Sequence, residues 1–242
     1  MFFNNFKRKI VFSILLFGFF FSAVSYADTA DQDRVITRSK DVLQRMMAAN
    51  DSIPEELLAK CKAIAIYPFV LNGGFLAGGR YGRGVVLKRD KKTGEWGPLS
   101  FSTIAGVSGG LQIGIQATDL VLLILNNKGL DSLLTSKFTL GGDMAVSVGP
   151  AGTASEISTD FFLKSMIVSY SRSRGLFAGL ALNGALVIPD NAANCAYYGK
   201  AVSAEDILLS GKVAVKPSSK ELIDTINEYA SRWQKRQSLK NK

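Results

Sequence analysis

Gly74-Phe75-Leu76-Ala77-Gly78 recurs as Gly110-Leu111-Gln112-Ile113-Gly114 and again as Gly175-Leu176-Phe177-Ala178-Gly179, and this repeat limits the fold more than any other feature of the chain. Extending the first and last copies aligns GFLAGGRYGRGVVL with GLFAGLALNGALVI, each closing on consecutive apolar residues. Glycine inside a strand pattern marks a bulge, sharp curvature or a close backbone approach. The spacing therefore predicts paired strands from Phe69 to about Tyr198, in a strongly curved antiparallel β-sheet or barrel-like β core. DKKTGEWGP supplies a hairpin tip at Thr93-Gly94. LVLLIL is a buried apolar run, too short to cross a bilayer as a helix. A turn at Asn126-Asn127-Lys128-Gly129, a short helical piece and another strand follow it.

Helical spacing frames this β region on both sides. Val35, Ile36, Val42, Leu43, Met46 and Met47 recur on one face, with Asp33, Arg34, Arg38, Lys40, Asp41 and Arg45 on the other. Ser52-Ile53-Pro54-Glu55 places a cap, a proline and an acid where a capping box with proline at the first helical position puts them, and a second helix should run to about Lys60. KAIAIYP then alternates like a strand. After Ile188-Pro189-Asp190 the chain returns to helix: Ser203 and Asp206 open one that Gly211 should stop, and Ser218-Ser219-Lys220-Glu221 opens a last one with Leu222, Ile226, Tyr229 and Trp233 on one stripe. The fold class is α+β, a curved β core with N-terminal and C-terminal flanking helices.

Lys7, Arg8 and Lys9 precede an apolar run from Ile10 to about Ser22, and Ser25-Tyr26-Ala27 offers a small-residue cleavage site. Residues 1–27 read as a secretory signal peptide. The remainder is expected to form a single domain over 28–231 with a basic tail over 232–242. This places the protein in an exported compartment, most simply the periplasm, with secretion or peripheral membrane association as alternatives. The net charge of +9 sits mostly at the two ends, since the tail holds Arg232, Lys235, Arg236, Lys240 and Lys242. A nearly neutral body with short basic patches suits a localised anionic surface and argues against a nucleic-acid partner.

Catalytic motifs fail on chemistry. Gly106-Val107-Ser108-Gly109-Gly110 satisfies G-x-S-x-G, but the chain has no histidine to activate the serine. Gly211-Lys212 continues with Val213, so no phosphate-binding P-loop exists, and GGRYGRG misses the dinucleotide spacing. With no histidine and two distant cysteines, neither a metal site nor a cofactor is expected. The chain is read as a non-catalytic binding module.

The residues that remain are basic. Arg80 and Arg83, then Lys88, Arg89, Lys91 and Lys92, then Arg172 and Arg174 lie beside glycine-rich strands, where an anionic lipid surface or plain solvation are both consistent readings. Cys61 and Cys195 could pair in an oxidising compartment or stay as two small buried side chains.

GGFLAGGRYGRGVVL, then GPLSFSTIAGVSGGLQIGIQATDLVLLILNNKGLDSLLTSKFTLGGDMAVSVGP, then SYSRSRGLFAGLALNGALVIPD with NCAYYGK and AEDILLSG, resemble the successive blocks of the SYLF domain family from about Arg34 to Gly211. That family includes eukaryotic proteins of membrane trafficking and cortical actin together with exported bacterial proteins. The resemblance implies lipid binding through an N-terminal amphipathic segment and a basic surface, with phosphoinositides as ligands among eukaryotic members and actin bound by some. The segment corresponds to Val35 through Met47, so Arg34, Arg38, Val42, Arg45 and Met46 become the expected membrane-surface helix. For an exported chain, anionic phospholipid replaces phosphoinositide. A structural or stress-related envelope protein with a protein partner is the alternative, and a small outer-membrane barrel a further one, disfavoured by capped helices at both ends.

Overall fold

The computed structural model describes residues 29–48, 53–75, 77–109, 114–134, 138–141, 146–149, 166–173 and 184–240. The expected signal peptide, Arg174 and the third copy of the glycine repeat lie outside the described residues.

Helix α1 (Thr29–Ala48) and the short α2 (Glu55–Lys60) precede β1 (Ala63–Phe75), β2 (Ala77–Lys88), β3 (Ser100–Gly109) and β4 (Gly114–Ile124). Helix α3 (Asn127–Leu134), β5 (Phe138–Leu140), β6 (Val146–Val148), β7 (Ile167–Ser173) and β8 (Ala185–Pro189) follow, and α4 (Asn191–Tyr198), α5 (Ala204–Leu208) and α6 (Pro217–Lys240) close the chain. The eight strands form one curved, nearly closed sheet in the order β5-β8-β3-β2-β1-β4-β7-β6. All pairs are antiparallel except β6 with β7, a departure from the expected pattern. Parallel neighbours need a crossover of about a dozen residues or more, and the stretch between β6 and β7 is long enough to supply one.

The glycine-rich stretch is the hairpin of β1 and β2, with Phe75 opposite Ala77. The first copy of the repeat thus spans a chain reversal, and the second spans the passage from β3 to β4. What the glycines of β2 accommodate is a bulge in β1. Pro68 and Phe69 together oppose the single residue Asp119 of β4, and Phe69 carries a positive φ of 66°. Opposite the bulge, a Cβ on Gly84 would stand 2.5 Å from Tyr67 Cδ1 and well inside contact with the Ile66 carbonyl oxygen. Only glycine fits there.

The bulge also exchanges the two faces of β1: Ile64 and Ile66 share a face with Leu71 and Gly73, whereas Ala65 and Tyr67 share one with Val70 and Asn72. Two cores result. On the outer face Ile64, Ile66, Val85, Leu87, Phe101, Val121 and Leu123 pack under Ile36, Leu43, Met46, Leu57, Leu58, Leu222 and Ile226 of α1, α2 and α6. On the inner face Tyr67, Val70, Ile104, Leu120 and Leu122 pack with Leu140, Val187, Leu130 of α3 and Ile207 of α5. Inside this second core Tyr67 and Ser102 share a hydrogen bond of 2.9 Å between their hydroxyls.

Local signals account for most element ends. Asp90 Oδ1 accepts from the amides of Lys92 and Thr93 at the tip before Gly94, which has φ 76°. Ser203 and Asp206 form the reciprocal capping box of α5. Pro54 occupies the cap of α2, one residue earlier than expected, and makes no side-chain cap bond. Asn194, whose role the sequence reading missed, is fully buried; its Oδ1 accepts from Phe101 N at 2.7 Å and its Nδ2 donates to Ser100 Oγ at 3.0 Å, joining α4 to β3. The basic residues of the expected tail continue α6, which runs unbroken to Lys240 and carries the Arg232–Glu228 and Arg236–Glu55 ion pairs.

Cys61 and Cys195 are both free thiols. Cys61 ends α2, buried in the outer core with its thiol donating to Leu58 O, whereas Cys195 lies on α4 facing Val202 O at 4.0 Å. The disulfide alternative is therefore corrected: each thiol is held by its own local contacts.

Candidate functional site

Helix α1 crosses the strands. Its first turn reaches β2, where Asp31 pairs with Arg83, which also lies 3.7 Å from Asp190. Its last turn reaches β4 and β7, where Arg45 pairs with Asp119 at 3.0 Å and the Arg45 carbonyl accepts from Arg172 Nη1 at 3.2 Å. One flank of α1 meets α6 through the Lys40–Glu221 pair at 2.5 Å. Arg34, Arg38 and Arg45, at i, i+4 and i+11, line the opposite flank and are exposed.

Beyond that flank the outer face of the sheet continues, and no described helix packs on it. Register sets Ala105, Tyr81, Leu71 and Ala117 in one cross-strand row and Val107, Gly79, Gly73 and Ile115 in the next. Leu71 is 41% exposed, Tyr81 55%, Val107 78% and Ile115 80%, and Phe69 at the bulge is 44% exposed. Four strands thus present apolar side chains to solvent in adjoining rows, bordered by an arginine stripe. An apolar patch with a charged border marks an interaction surface.

The structure separates the expected lipid-binding residues. Arg34, Arg38 and Arg45 stand together on α1, with Arg83 and Arg172 beneath its two ends. Val42 and Met46 are 0% and 2% exposed in the outer core, which corrects their expected membrane contact: the apolar stripe of α1 is used up against the sheet. Lys88, Arg89, Lys91 and Lys92 lie at the far end of β2, roughly 20 Å from the Tyr81 row at the usual rise per strand residue. Lys91 and Lys92 are exposed there. Arg89 instead donates to the Leu58 and Ala59 carbonyls that end α2 and stacks 4.8 Å over Trp96; burial lowers its pKa. It is a helix-end clamp rather than a surface cation. Arg80 is also corrected, because it points to the inner face and is only 7% exposed.

Leu71, Tyr81, Val107 and Ile115 were missed. The bulge reverses the alternation of β1, so residues that read as core or turn end up on an open face. Pro68 inside a strand pattern was the available signal.

The body is of the α+β class, with a curled sheet, a transverse amphipathic helix and an exposed apolar end bordered by arginines. The chain belongs to the SYLF family: the profile described as "Ysc84: Las17-binding protein actin regulator" matches residues 105–229. Among its relatives, SH3 domain-containing YSC84-like protein 1 of Rattus norvegicus is 33% identical over 183 residues, covering 75% of this chain and 53% of that protein. Protein YSC84 of Saccharomyces cerevisiae is 34% identical over 191 residues, covering 77% of this chain and 40% of that protein. LAS seventeen-binding protein 3 of the same yeast is 33% identical over the same length. The chain spans about half the length, or less, of these curated relatives.

Proposed function

We propose that the protein is a non-catalytic module of the cell envelope, exported and periplasmic, that lays the open end of its sheet on an anionic phospholipid surface. The observation that supports this most is the adjacency of exposed Leu71, Tyr81, Val107 and Ile115 to the Arg34, Arg38 and Arg45 stripe. Such a surface suits a boundary where acyl chains lie beside negative headgroups. Each arginine near an anionic bilayer contributes ~1 kcal/mol, and each fully buried aliphatic side chain ~1.5–3 kcal/mol. Three arginines and partial burial of four side chains suffice for reversible attachment. Among the described residues no helix is long and apolar enough to cross a membrane.

Sedimentation with vesicles tests the reading. The chain should pellet with phosphatidylglycerol-containing vesicles and not with phosphatidylcholine alone, less so as salt rises. Val107→Asp with Ile115→Asp, or Arg34→Ala with Arg38→Ala, should release it, and Lys91→Ala with Lys92→Ala should not. Equal pelleting by all three variants would discard this surface.

A second reading, a structural or stress-related envelope protein acting through a protein partner, draws on the names of the family and of a yeast relative, which describe binding to another protein. It predicts no vesicle binding and a specific protein captured through the same face.

A further inference from the structure

On the inner face of the sheet, away from the surface just described, Arg80 is more than nine-tenths buried, and neither its Nε nor its Nη1 has a hydrogen-bond partner. Among the described residues no carboxylate pairs with it. Its register neighbours are Gly106 on β3 and Asn72 on β1, and Asn72 in turn faces Gln116 on β4. Gly106 leaves room for the arginine stem: a Cβ there would stand 3.6 Å from Arg80 Cγ and 3.1 Å from the Gly184 carbonyl oxygen and Ala185 Cα at the start of β8. The side chain is therefore enclosed between β3 and the incoming β8.

Two further unpartnered polar atoms share this face. Asn72 Oδ1 is buried without a donor, its amide nitrogen already committed to Val70 O at 3.3 Å. Thr118 Oγ1, in the neighbouring row beside Val70, is buried without any partner. Burial lowers the pKa of Arg80, as expected where nothing balances the charge. Leaving two guanidinium nitrogens buried without a partner is unfavourable. One cation, one hydroxyl and one acceptor, all with unsatisfied atoms, thus lie on one face of the sheet in adjoining rows, Arg80 and Asn72 in one and Thr118 in the next.

We propose that Arg80, Thr118 and Asn72 form an internal binding site for a phosphate group. The guanidinium fork matches two oxygens of a phosphate, Thr118 can donate to another, and Asn72 Oδ1 can accept from the hydroxyl of a monoprotonated phosphate or a neighbouring glycerol. A carboxylate has no proton to offer Asn72. The site is independent of the vesicle-facing surface, since it uses the opposite face of β1, β2 and β4.

Inorganic phosphate and a short-chain phosphatidic acid below its micelle concentration distinguish a free anion from a lipid headgroup, with acetate as the carboxylate control, all at matched ionic strength. The thermal midpoint of the purified chain should rise with at least one of the two phosphates and not with acetate. Arg80→Met should abolish the rise, and Thr118→Val, nearly isosteric, should weaken apparent affinity by ~3-fold or more through loss of one hydrogen bond. If Arg80→Met does not fold, Thr118→Val and Asn72→Leu carry the comparison. No rise with either phosphate, the same rise with acetate, or undiminished rises in the variants would overturn the assignment. Vesicle pelleting by Arg80→Met should match the parent, which keeps this test separate from that of the outer surface.

Discussion

Asp119 on β4 accepts the backbone amide of Phe69 through Oδ1 at 3.1 Å while its Oδ2 holds Arg45 of α1 at 3.0 Å. One carboxylate thus secures the bulge that exchanges the faces of β1 and anchors the helix that crosses it. Asp119→Ala should destabilise by ~1–3 kcal/mol, the usual consequence of removing a charged hydrogen-bond acceptor. Asp119→Asn keeps an acceptor for Phe69 and should lose less. Urea midpoints of the two variants check the ordering, and equal losses would show that the Arg45 pair alone matters.

Gly84 faces the same bulge. Its missing side chain makes room for the Ile66 carbonyl and the Tyr67 ring, both of them buried and neither free to retreat. Gly84→Ala should cost ~3 kcal/mol or more. Gly94→Ala, at a positive φ with nothing within 4 Å, should cost only ~1 kcal/mol from backbone strain. A comparison of melting temperatures decides whether close approach or conformational freedom dominates at Gly84.

The amphipathic period of residues 35–47 and the stripe at Leu222, Ile226, Tyr229 and Trp233 located α1 and α6, because a helix packed on one side must repeat its apolar residues every three or four positions. Ser203 and Asp206 located α5 through capping chemistry. The glycines announced curvature but not its cause, which lies in how Pro68 and Phe69 oppose Asp119 across a pairing the sequence does not state. For the same reason Arg80 and Arg83, three residues apart in one strand, looked like one patch, whereas period-two alternation sends them to opposite faces. The open apolar end escaped notice because its members come from four strands and meet only through register.

Gln32 is fully buried at the base of α1, and neither end of its amide has a hydrogen-bond partner. Desolvating such a group without compensation costs ~1–3 kcal/mol. Gln32→Met, similar in volume and favourable in a helix, should therefore raise the melting temperature. A decrease would mean that the amide is satisfied in solution by a group or water bound there.

Burial pushes the Cys61 thiol up to about 12. Little thiolate exists at neutral pH, and the sulfur is enclosed by the outer core. Cys61 should resist iodoacetamide in the folded protein and react once urea unfolds it. Mass mapping of the alkylated peptide distinguishes the two states, and rapid labelling of Cys61 in the native chain would show that the end of α2 opens readily.

The cap of α5 should contribute to acid sensitivity. Asp206 has its pKa lowered from 3.8 to about 2, first by its hydrogen bond with Lys212 and then by the Ser203 amide. A depressed folded-state pKa means that the unfolded chain takes up the proton first as pH falls, so this contribution is complete above the ordinary value and fades as pH drops through about 2. Asp206→Asn removes that titration and loses the Lys212 pair at every pH. The difference in stability between parent and variant should then be largest above pH 4 and shrink towards pH 2. A difference that stays constant across that window would mean that the capping hydrogen bonds, rather than the charge, account for the contribution of Asp206.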